Sequence, residues 1–448
     1  MSRRVITAPL AFVDDEWLAD AAVVLDGDEI VASGPADAVL PTEAGSDVEH
    51  WDDRAIVPGG VNGHGHAFQT LLRGFGDDQP FMAWMGGLVH PTAAQLGPDE
   101  LALATEYDFA EMLRMGITTA VEYFYLHDGG NENAWAILDA GRRVGMRTVF
   151  ARCMFDAAGG PTRYLETPEL FERNFRELRE ATAADPLLEV HPAPHSVLGT
   201  SEEMLRLGSA LAGEYDVPLH IHVADSQGEV DVSRERFGQS PVGRLDAVGV
   251  LDERLLAVHA VRVDEDDLAL LAEGGSGVVH NPSTNAFLGG GIAPVAQMVE
   301  RGIPVCLGTD AGGANSRRSL FDEMRQAALL AKATARDGRA MTAVDVLRMG
   351  TSAGGRALRM PVGKIAPGYK ADIVSLDLTA LSLRPRRTVT QNIIYSMLPE
   401  AVDRVLVGGR TVVEEGRVLT IDTEATAARV DALTARWSPI TGTHPENR

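Results

Sequence analysis

The sequence predicts an α/β protein in which a (β/α)8 barrel is flanked by a small β-sandwich domain built from both ends of the chain. Three observations support this prediction. Short apolar runs alternate with amphipathic helical patterns from residue 56 onward, eight such runs occur, and both ends of the chain instead show short strands joined by turns. Strict alternation of strand and helix implies parallel strands. Eight such units over about 300 residues fit a closed barrel better than an open sheet.

The N-terminal part of the sandwich, residues 1–55, contains apolar runs at 5–8, 21–25 and 29–32. Asp26-Gly27-Asp28 separates the second run from the third. Asp-Gly between two apolar runs is typical of a tight β-hairpin. We therefore expect short strands joined by turns in this segment.

The barrel segment, residues 56–360, is expected to contain eight strands. They are predicted at 56–61, 117–121, 147–151, 187–190, 217–222, 255–259, 277–280 and 304–310. Apolar residues at helical spacing between the earlier strands predict helices at 101–115, 133–143, 168–184 and 202–214.

The C-terminal part of the sandwich, residues 361–448, returns to short strands, at 370–376, 401–407 and 410–413. Gly408-Gly409 is expected to turn a hairpin between the last two. A helix is predicted at 424–437, and the residues after it are expected to be disordered. Because both ends of the chain show the same pattern, we expect them to meet in one domain.

The composition is that of a globular protein, with 45% apolar and 23% charged residues in 448. No apolar run approaches the roughly 18 residues that span a bilayer. Acidic residues at 14–16 follow the N-terminus too closely for a signal peptide, so a cytoplasmic location is expected. The net charge of −24 argues against nucleic acid and anionic membranes as partners. Cys153 and Cys306 each lie in an apolar run, which favours two buried thiols over a disulfide.

Metal-capable side chains stand at the ends of most predicted barrel strands. Strand ends of one direction share the mouth of a barrel, where active sites lie. A single histidine at such a place is more often structural, but seven residues in phase with the repeat favour a site. They are His64, His66, His195, His222, His259, His280 and Asp310.

His64 and His66 are separated by one residue, so on an extended chain both imidazoles project to the same face. Together with His222 and Asp310 they would supply three imidazoles and one carboxylate, a donor set that suits zinc or ferrous iron. A two-metal version of such a site needs a bridging carbamylated lysine. The chain has no lysine before Lys332, so a single metal ion is expected.

Six motifs in order resemble the amidohydrolase superfamily, specifically its mononuclear deaminase and chlorohydrolase branch. They are Pro58-Gly59-Gly60-Val61-Asn62-Gly63-His64-Gly65-His66, His220-Ile221-His222-Val223-Ala224-Asp225, Val258-His259-Ala260, His280-Asn281-Pro282-Ser283-Thr284-Asn285, Leu307-Gly308-Thr309-Asp310 and Gly363-Lys364-Ile365-Ala366-Pro367-Gly368-Tyr369-Lys370-Ala371-Asp372. The resemblance covers nearly the whole chain, and it is more specific for the superfamily than for a substrate.

This resemblance implies that His64, His66, His222 and Asp310 bind one divalent cation, Zn²⁺ or Fe²⁺. It also implies that Asp310 acts as the general base and that His259 polarises the attacking hydroxide or the developing oxyanion. Asp225 stands where deaminases of this branch usually carry Glu, the acid that protonates the ring nitrogen. The shorter Asp also fits a residue that only orients a neighbour.

Two further residues bear on the substrate. Gln69 follows His66 in a stretch similar to that of oxopurine deaminases, where a Gln hydrogen-bonds the ring; a helix-surface amide is the equal alternative. His195 matches a substrate-binding histidine of the family, against a structural alternative. Ala93 stands where adenosine-type relatives carry a ribose-binding Glu. The absence of this carboxylate argues against nucleosides and S-adenosylhomocysteine as substrates.

The function expected from this resemblance is metal-dependent deamination of an aminated nitrogen heterocycle, such as an oxopurine, pterin or triazine, with release of ammonia. A second hypothesis is hydrolysis of another C–N or C–Cl bond, because the His66-Ala67-Phe68-Gln69 stretch is also similar to formimidoylglutamate deiminases. A third is a non-catalytic binding protein on the same fold. The expected partners are a small-molecule substrate and further copies of the chain in a homo-oligomer.

Overall fold

The computed structural model describes residues 3–43 and 45–437; the end of the chain that was expected to be disordered lies outside these ranges. The protein is of the α/β class. Its strands are β1 Arg4–Val13, β2 Glu16–Asp26, β3 Glu29–Pro35, β4 Asp47–His50, β5 Arg54–Pro58, β6 Gly60–Asn62, β7 Gly65–His66, β8 Ile117–Phe124, β9 Arg147–Met154, β10 Leu188–Pro194, β11 Leu219–Val223, β12 Leu255–His259, β13 Gly277–His280, β14 Val305–Leu307, β15 Asp310–Ala311, β16 Ile373–Asp377, β17 Val402–Val407, β18 Arg410–Glu414 and β19 Arg417–Val418.

The helices lie mainly between these strands. They are α1 Ala36–Val39, α2 Phe81–Trp84, α3 His90–Ala93, α4 Pro98–Arg114, α5 Glu132–Val144, α6 Pro168–Thr182, α7 Glu202–Tyr215, α8 Gln227–Phe237, α9 Pro241–Val248, α10 Glu265–Gly274, α11 Pro282–Phe287, α12 Val295–Glu300, α13 Gly312–Asn315, α14 Leu320–Ala335, α15 Ala343–Met349, α16 Ser352–Ala357, α17 Val389–Tyr395 and α18 Thr423–Thr434. Short 3₁₀ helices cover Leu40–Thr42, Ala67–Leu72, Leu381–Leu383 and Pro399–Ala401, and one π turn covers Met85–Val89.

Both ends of the chain contribute to one nine-stranded sheet. Its order is β19-β18-β17-β16-β5-β1-β2-β3, with β4 paired to β1. The hairpin β2–β3 turns at Gly27 and the hairpin β17–β18 at Gly408 and Gly409, all three with positive φ. Both predicted hairpins are therefore confirmed, as is the prediction that the two ends of the chain pair with each other.

The middle of the chain forms two four-stranded parallel sheets, β6-β8-β9-β10 and β11-β12-β13-β14. Hydrogen bonds link the two sheets at both junctions. The His222 amide donates to the His195 carbonyl at 3.2 Å, and the Gly63 amide donates to the Leu307 carbonyl at 2.9 Å. The predicted parallel order of these strands is confirmed.

The first predicted barrel strand, 56–61, is divided in the structure. β5 belongs to the nine-stranded sheet, where it pairs with β1 and β16, and only β6 pairs with the parallel strand β8. The division falls at Gly59, where a Cβ would lie 2.0 Å from the Thr118 hydroxyl. A continuous apolar run does not reveal this change of sheet.

Helix termini follow local sequence rules. Thr167 and Ser201 cap α6 and α7 by accepting backbone N–H groups, and Gly145 ends α5 in the left-handed conformation. Cys153 and Cys306 are buried free thiols, as predicted. Among residues 3–43 and 45–437, no helix is both long and apolar enough to cross a membrane.

Candidate metal centre

The first two histidines lie on a turn between short strands. His64 follows β6, His66 ends β7, and their ring centroids are 4.8 Å apart. Both side chains are buried. A Cβ on Gly65 would lie 3.1 Å from the Arg318 guanidinium, so a larger residue between the two histidines would require this arginine to shift by a few tenths of an ångström.

The remaining candidates come from the ends of later strands. His222 lies in β11, His259 ends β12, and Asp310 begins β15, which pairs with β7. His259 and Asp310 adopt φ values of 75° and 53°, in the left-handed region that non-glycine residues rarely occupy. Such strained backbone persists only where the surrounding structure fixes it, and it is concentrated at functional sites.

The structure brings the four predicted ligands together. Asp310 Oδ1 lies 3.6 Å from His64 Nε2 and 3.8 Å from His66 Nε2. The rings of His64 and His222 have centroids 4.9 Å apart. His259 joins the same cluster, with Nε2 3.8 Å from Asp310 Oδ2. The potential ligand atoms form two overlapping groups that share His64, one with His66 and Asp310 and one with His222 and His259, each within 4.8 Å.

Backbone carbonyls fix the orientation of two of the imidazoles. His66 Nδ1 lies 2.6 Å from the Tyr123 carbonyl oxygen, and His222 Nδ1 lies 2.8 Å from the His195 carbonyl oxygen. Because a carbonyl only accepts, each Nδ1 carries the proton and each Nε2 keeps its lone pair. This arrangement is the usual one for metal-binding histidines.

The charge states also suit a cation. Burial lowers the pKa values of His64 and His222, and it lowers the pKa of His66 to about 3, so these imidazoles are neutral near pH 7. Burial alone would raise the pKa of Asp310, but the neighbouring His64 outweighs it and the pKa lies below its ordinary value. The cluster therefore presents neutral imidazoles and one carboxylate.

A divalent cation fits these residues. Both ring nitrogens of His64 are buried and have no hydrogen-bond partner among the described residues, and a cation would satisfy Nε2. Two atoms each about 2.1 Å from a tetrahedral zinc ion are about 3.4 Å apart. The observed separations of 3.6 and 3.8 Å from Asp310 Oδ1 are close to this value.

Asp225 lies half-buried two residues after β11, in the same loop that follows His222. Its backbone N–H donates to the Glu229 carboxylate at 3.1 Å, and the preceding Ala224 has a left-handed φ of 51°. Burial and the nearby Asp225 carboxylate raise the pKa of Glu229 well above its ordinary value. Asp225 in this loop and Glu229 in the first turn of α8 are therefore neighbouring carboxyl groups, of which the sequence indicated only Asp225.

Gln69 is buried, so its interpretation as a helix-surface amide is wrong. Its Nε2 donates to the Tyr125 hydroxyl at 2.7 Å, and the Tyr125 ring centroid is 5.5 Å from that of His66. The His195 ring lies 5.2 Å from the His222 ring, between centroids. Both predicted substrate-contact residues thus lie beside the metal cluster.

Several residues of the site were not predicted from the sequence. Tyr123 and Tyr125 were missed because β8 extends to Phe124, three residues beyond the predicted end of that strand. Asn285, whose Oδ1 lies 2.9 Å from His259 Nδ1, was noted only as part of a motif. Glu122 accepts the Ala67 N–H at 2.8 Å, and burial raises its pKa to about 8; no local pattern distinguishes it from other strand residues.

The chain is similar over most of its length to proteins of a known family. The model of the "Amidohydrolase family" matches residues 55–412. The chain is 35% identical over 422 residues to a 5-methylthioadenosine/S-adenosylhomocysteine deaminase of Syntrophobacter fumaroxidans, covering 94% of each chain. It is 34% identical over 425 residues to a 5'-deoxyadenosine deaminase of Methanothermobacter thermautotrophicus, covering 94% of this chain and 93% of the relative.

Solved structures show the same architecture. An adenosine deaminase from Xanthomonas campestris with bound zinc has a TM-score of 0.89 and 31% identity, covering 97% of this chain and 98% of the other. An atrazine chlorohydrolase from Arthrobacter aurescens in complex with zinc has a TM-score of 0.89 and 23% identity, covering 96% and 100%. At that lower identity the chlorohydrolase shows the fold alone.

Proposed function

The chain belongs to the amidohydrolase family, and we propose that it is a mononuclear, metal-dependent deaminase of an aminated purine-like heterocycle. Its relatives are deaminases, so the chain is a hydrolase of carbon–nitrogen bonds other than peptide bonds. The observation that carries the proposal is the convergence of His64, His66, His222 and Asp310 from distant parts of the sequence.

The metal is proposed to be one zinc ion, because three imidazoles and a carboxylate are a zinc donor set and the zinc-containing adenosine deaminase shares the fold. Ferrous iron has the same preference for these donors and is the alternative. When bound, a divalent cation lowers the pKa of water to near neutrality and so supplies hydroxide at physiological pH.

The side chains of the cluster then manage the protons of the reaction. Asp310 accepts the proton of the attacking water on its carboxylate and passes it toward the departing amino group. The Asn285 side chain holds Nδ1 of His259, so that Nε2 of His259 faces the reacting centre. In its protonated form, Nε2 donates a hydrogen bond to the substrate oxygen that becomes negative. Asp225 donates a proton to the ring nitrogen, which makes the adjacent carbon more electrophilic.

Gln69 and His195 are proposed to contact the heterocycle. The buried Gln69 Oε1 has no hydrogen-bond partner within the described residues, so it is available as an acceptor. Aromatic rings surround His195, with Phe155 at 5.1 Å and Tyr125 at 6.3 Å between centroids. Such a wall favours a planar ring in the substrate.

Two observations point in opposite directions on whether the heterocycle of the substrate carries a sugar. The relatives named above act on adenosine derivatives. Ala93, however, offers no carboxylate for ribose hydroxyls, and its carbonyl accepts from Arg163, which in turn pairs with Asp128. We therefore propose the aminated ring as the recognised feature and use the sugar as a variable in the test.

Two structural proposals accompany this function. Residues 56–360 form the catalytic domain as a closed (β/α)8 barrel, supported by the hydrogen bonds that link its two sheets at both junctions. Residues 1–55 and 361–448 form one flanking β-sandwich domain, supported by the sheet that they share.

Ammonia release tests the function directly. Zinc-loaded protein is assayed with adenosine-type nucleosides, free aminopurines, pterins and aminotriazines, and with formiminoglutamate and a chlorotriazine as alternatives. We expect ammonia from at least one aminated ring and loss of turnover in Asp310→Asn. Turnover of formiminoglutamate or chlorotriazine alone would replace the proposal with the corresponding hydrolase, and absence of all turnover would favour a binding protein.

A further inference from the structure

A buried ion pair lies directly behind the metal cluster. Arg318 and Asp108 have fully buried side chains, with Nε 2.7 Å from Oδ1 and Nη2 2.9 Å from Oδ2. Arg318 follows Asp310 by eight residues, and Asp108 lies in α4. The Nη2 hydrogen bond and the close Nε–Oδ1 ion contact together hold the guanidinium against the carboxylate.

The guanidinium holds the strained backbone of Asp310. Arg318 Nη1 donates to the Asp310 carbonyl and, at 3.3 Å, to the Thr309 carbonyl. Asp310 has a φ of 53°, which is unfavourable for a residue with a Cβ. These hydrogen bonds, together with the Asp310 N–H that donates to the His64 carbonyl at 3.0 Å, keep the residue in this conformation.

The same pair contacts the segment that carries His64 and His66. The Arg318 Nη2 atom packs against Gly65, where a Cβ would lie only 3.1 Å away. Asp108 Oδ1 accepts the hydroxyl of Thr70, in the 3₁₀ helix that immediately follows His66. Arg318 and Asp108 therefore connect the segment that carries His64 and His66 with the segment that carries Asp310.

Stability alone does not account for such a pair. Removing two charges from water is costly. A protein in which apolar residues of similar volume replace a buried ion pair is often as stable as the original or more stable. Directed hydrogen bonds to two carbonyls and a hydroxyl, in contrast, set positions that apolar packing does not set.

We infer that Arg318 and Asp108 are positioning residues, which hold Asp310 and the His64–His66 turn in the geometry that binds the cation. This inference rests on the proposed metal-dependent function. Neither side chain enters the reaction, since Arg318 acts through the Asp310 backbone and Asp108 acts through Arg318 and Thr70.

The test replaces the pair by apolar residues of similar size, Arg318→Met with Asp108→Leu, so that no charge is left buried alone. Zinc affinity of the metal-free protein is measured by competition with a chromophoric chelator, and stability by thermal unfolding of the same metal-free protein. We expect zinc to bind 10- to 100-fold more weakly, the range for lost supporting partners of metal ligands, with little change in the unfolding temperature. In the zinc-saturated enzyme kcat should fall while KM stays within about twofold.

Arg147→Met with Asp372→Leu is the matched control. This pair is also buried, with Nε 2.9 Å from Oδ2, but it joins the N-terminal end of β9 to the nine-stranded sheet. We expect its zinc affinity to equal that of the wild type even if its stability falls. An equal loss of affinity in this control would assign the effect to stability and overturn the inference.

Two milder variants keep the inference testable if the apolar pair does not fold. Thr70→Val removes only the hydroxyl that joins Asp108 to the histidine segment, and Arg318→Lys keeps the charge but cannot reach Asp108 and two carbonyls together. Each should weaken zinc binding several-fold, and wild-type affinity in both would overturn the inference. A wild-type protein that binds no divalent cation would instead contradict the proposed function, and the inference with it.

Discussion

Glu323 is predicted to make the stability of the protein depend on pH between 4.5 and 7. Its buried carboxylate accepts hydrogen bonds from the Asn315 side-chain amide at 2.8 Å and from the Ser283 N–H at 3.0 Å, and so joins the short helices α11 and α13 that follow β13 and β15. Burial raises its pKa from an ordinary 4.5 to about 7. Between these values the folded chain keeps a proton that the unfolded chain has lost.

Because the folded pKa is the higher one, stability is greatest below pH 4.5, falls as the pH rises through the window and levels off above pH 7. At about 1.36 kcal/mol per pKa unit, the free energy of unfolding decreases by about 3 kcal/mol in total. Most of this decrease, about 2.5 kcal/mol, occurs between pH 5 and pH 8. Glu323→Gln has no proton to lose and should lack this component.

The assay is urea unfolding of metal-free wild type and Glu323→Gln at pH 5 and pH 8, in which the difference between the two proteins removes the contribution of other groups. Glu273→Gln, at an exposed position of α10, is the control and should follow the wild type. If wild type and Glu323→Gln change in parallel from pH 5 to pH 8, the raised pKa of Glu323 is wrong.

Three further predictions concern the site. Asp310→Asn should reduce kcat by at least about 10³-fold even where zinc is retained, because the amide cannot accept the proton; kcat measured at full zinc occupancy checks this, and near-normal turnover would refute the assignment of the base. Asp225→Ala should lower deamination of a ring substrate by about 10²- to 10⁴-fold with unchanged metal content, and unchanged rates would exclude ring protonation by this residue. Gly308→Ala should destabilise the protein by about 1–3 kcal/mol and weaken zinc binding, because the added Cβ would lie 2.3 Å from Asn281 Oδ1 and 3.0 Å from the His64 Cβ. Unfolding and chelator titrations measure the two effects. Gly213→Ala, where a Cβ has no neighbouring atom within 4 Å, is the control for both titrations.

The features that the sequence predicted well are those that repeat along the chain. Parallel strands place all their C-terminal ends on one side, so the sequence predicts that His222 at the end of one run and His259 at the end of the next are neighbours. The structure places their ring centroids 5.6 Å apart. Hairpin glycines such as Gly27 were predictable for a similar reason, because their signal is entirely local.

Features that depend on contacts between distant segments were not predictable. The run at 56–61 is uniformly apolar on both sides of Gly59, so its division between two sheets is visible only from the position of Thr118. Arg318 appears in the sequence as one of two adjacent arginines. Its burial depends on Asp108, which lies 210 residues away. The orientation of Gln69 likewise depends on Tyr125, at the end of another strand.

The most direct test of the central claim is X-ray absorption spectroscopy at the zinc edge, on protein whose metal content has been measured. We predict one zinc ion per chain with nitrogen and oxygen ligands at about 2.0–2.1 Å and no sulfur, a signal that is lost or rearranged in His66→Ala and His222→Ala. Two ions per chain, a sulfur ligand, or an unchanged zinc environment after both substitutions would contradict a single cation held by His64, His66, His222 and Asp310.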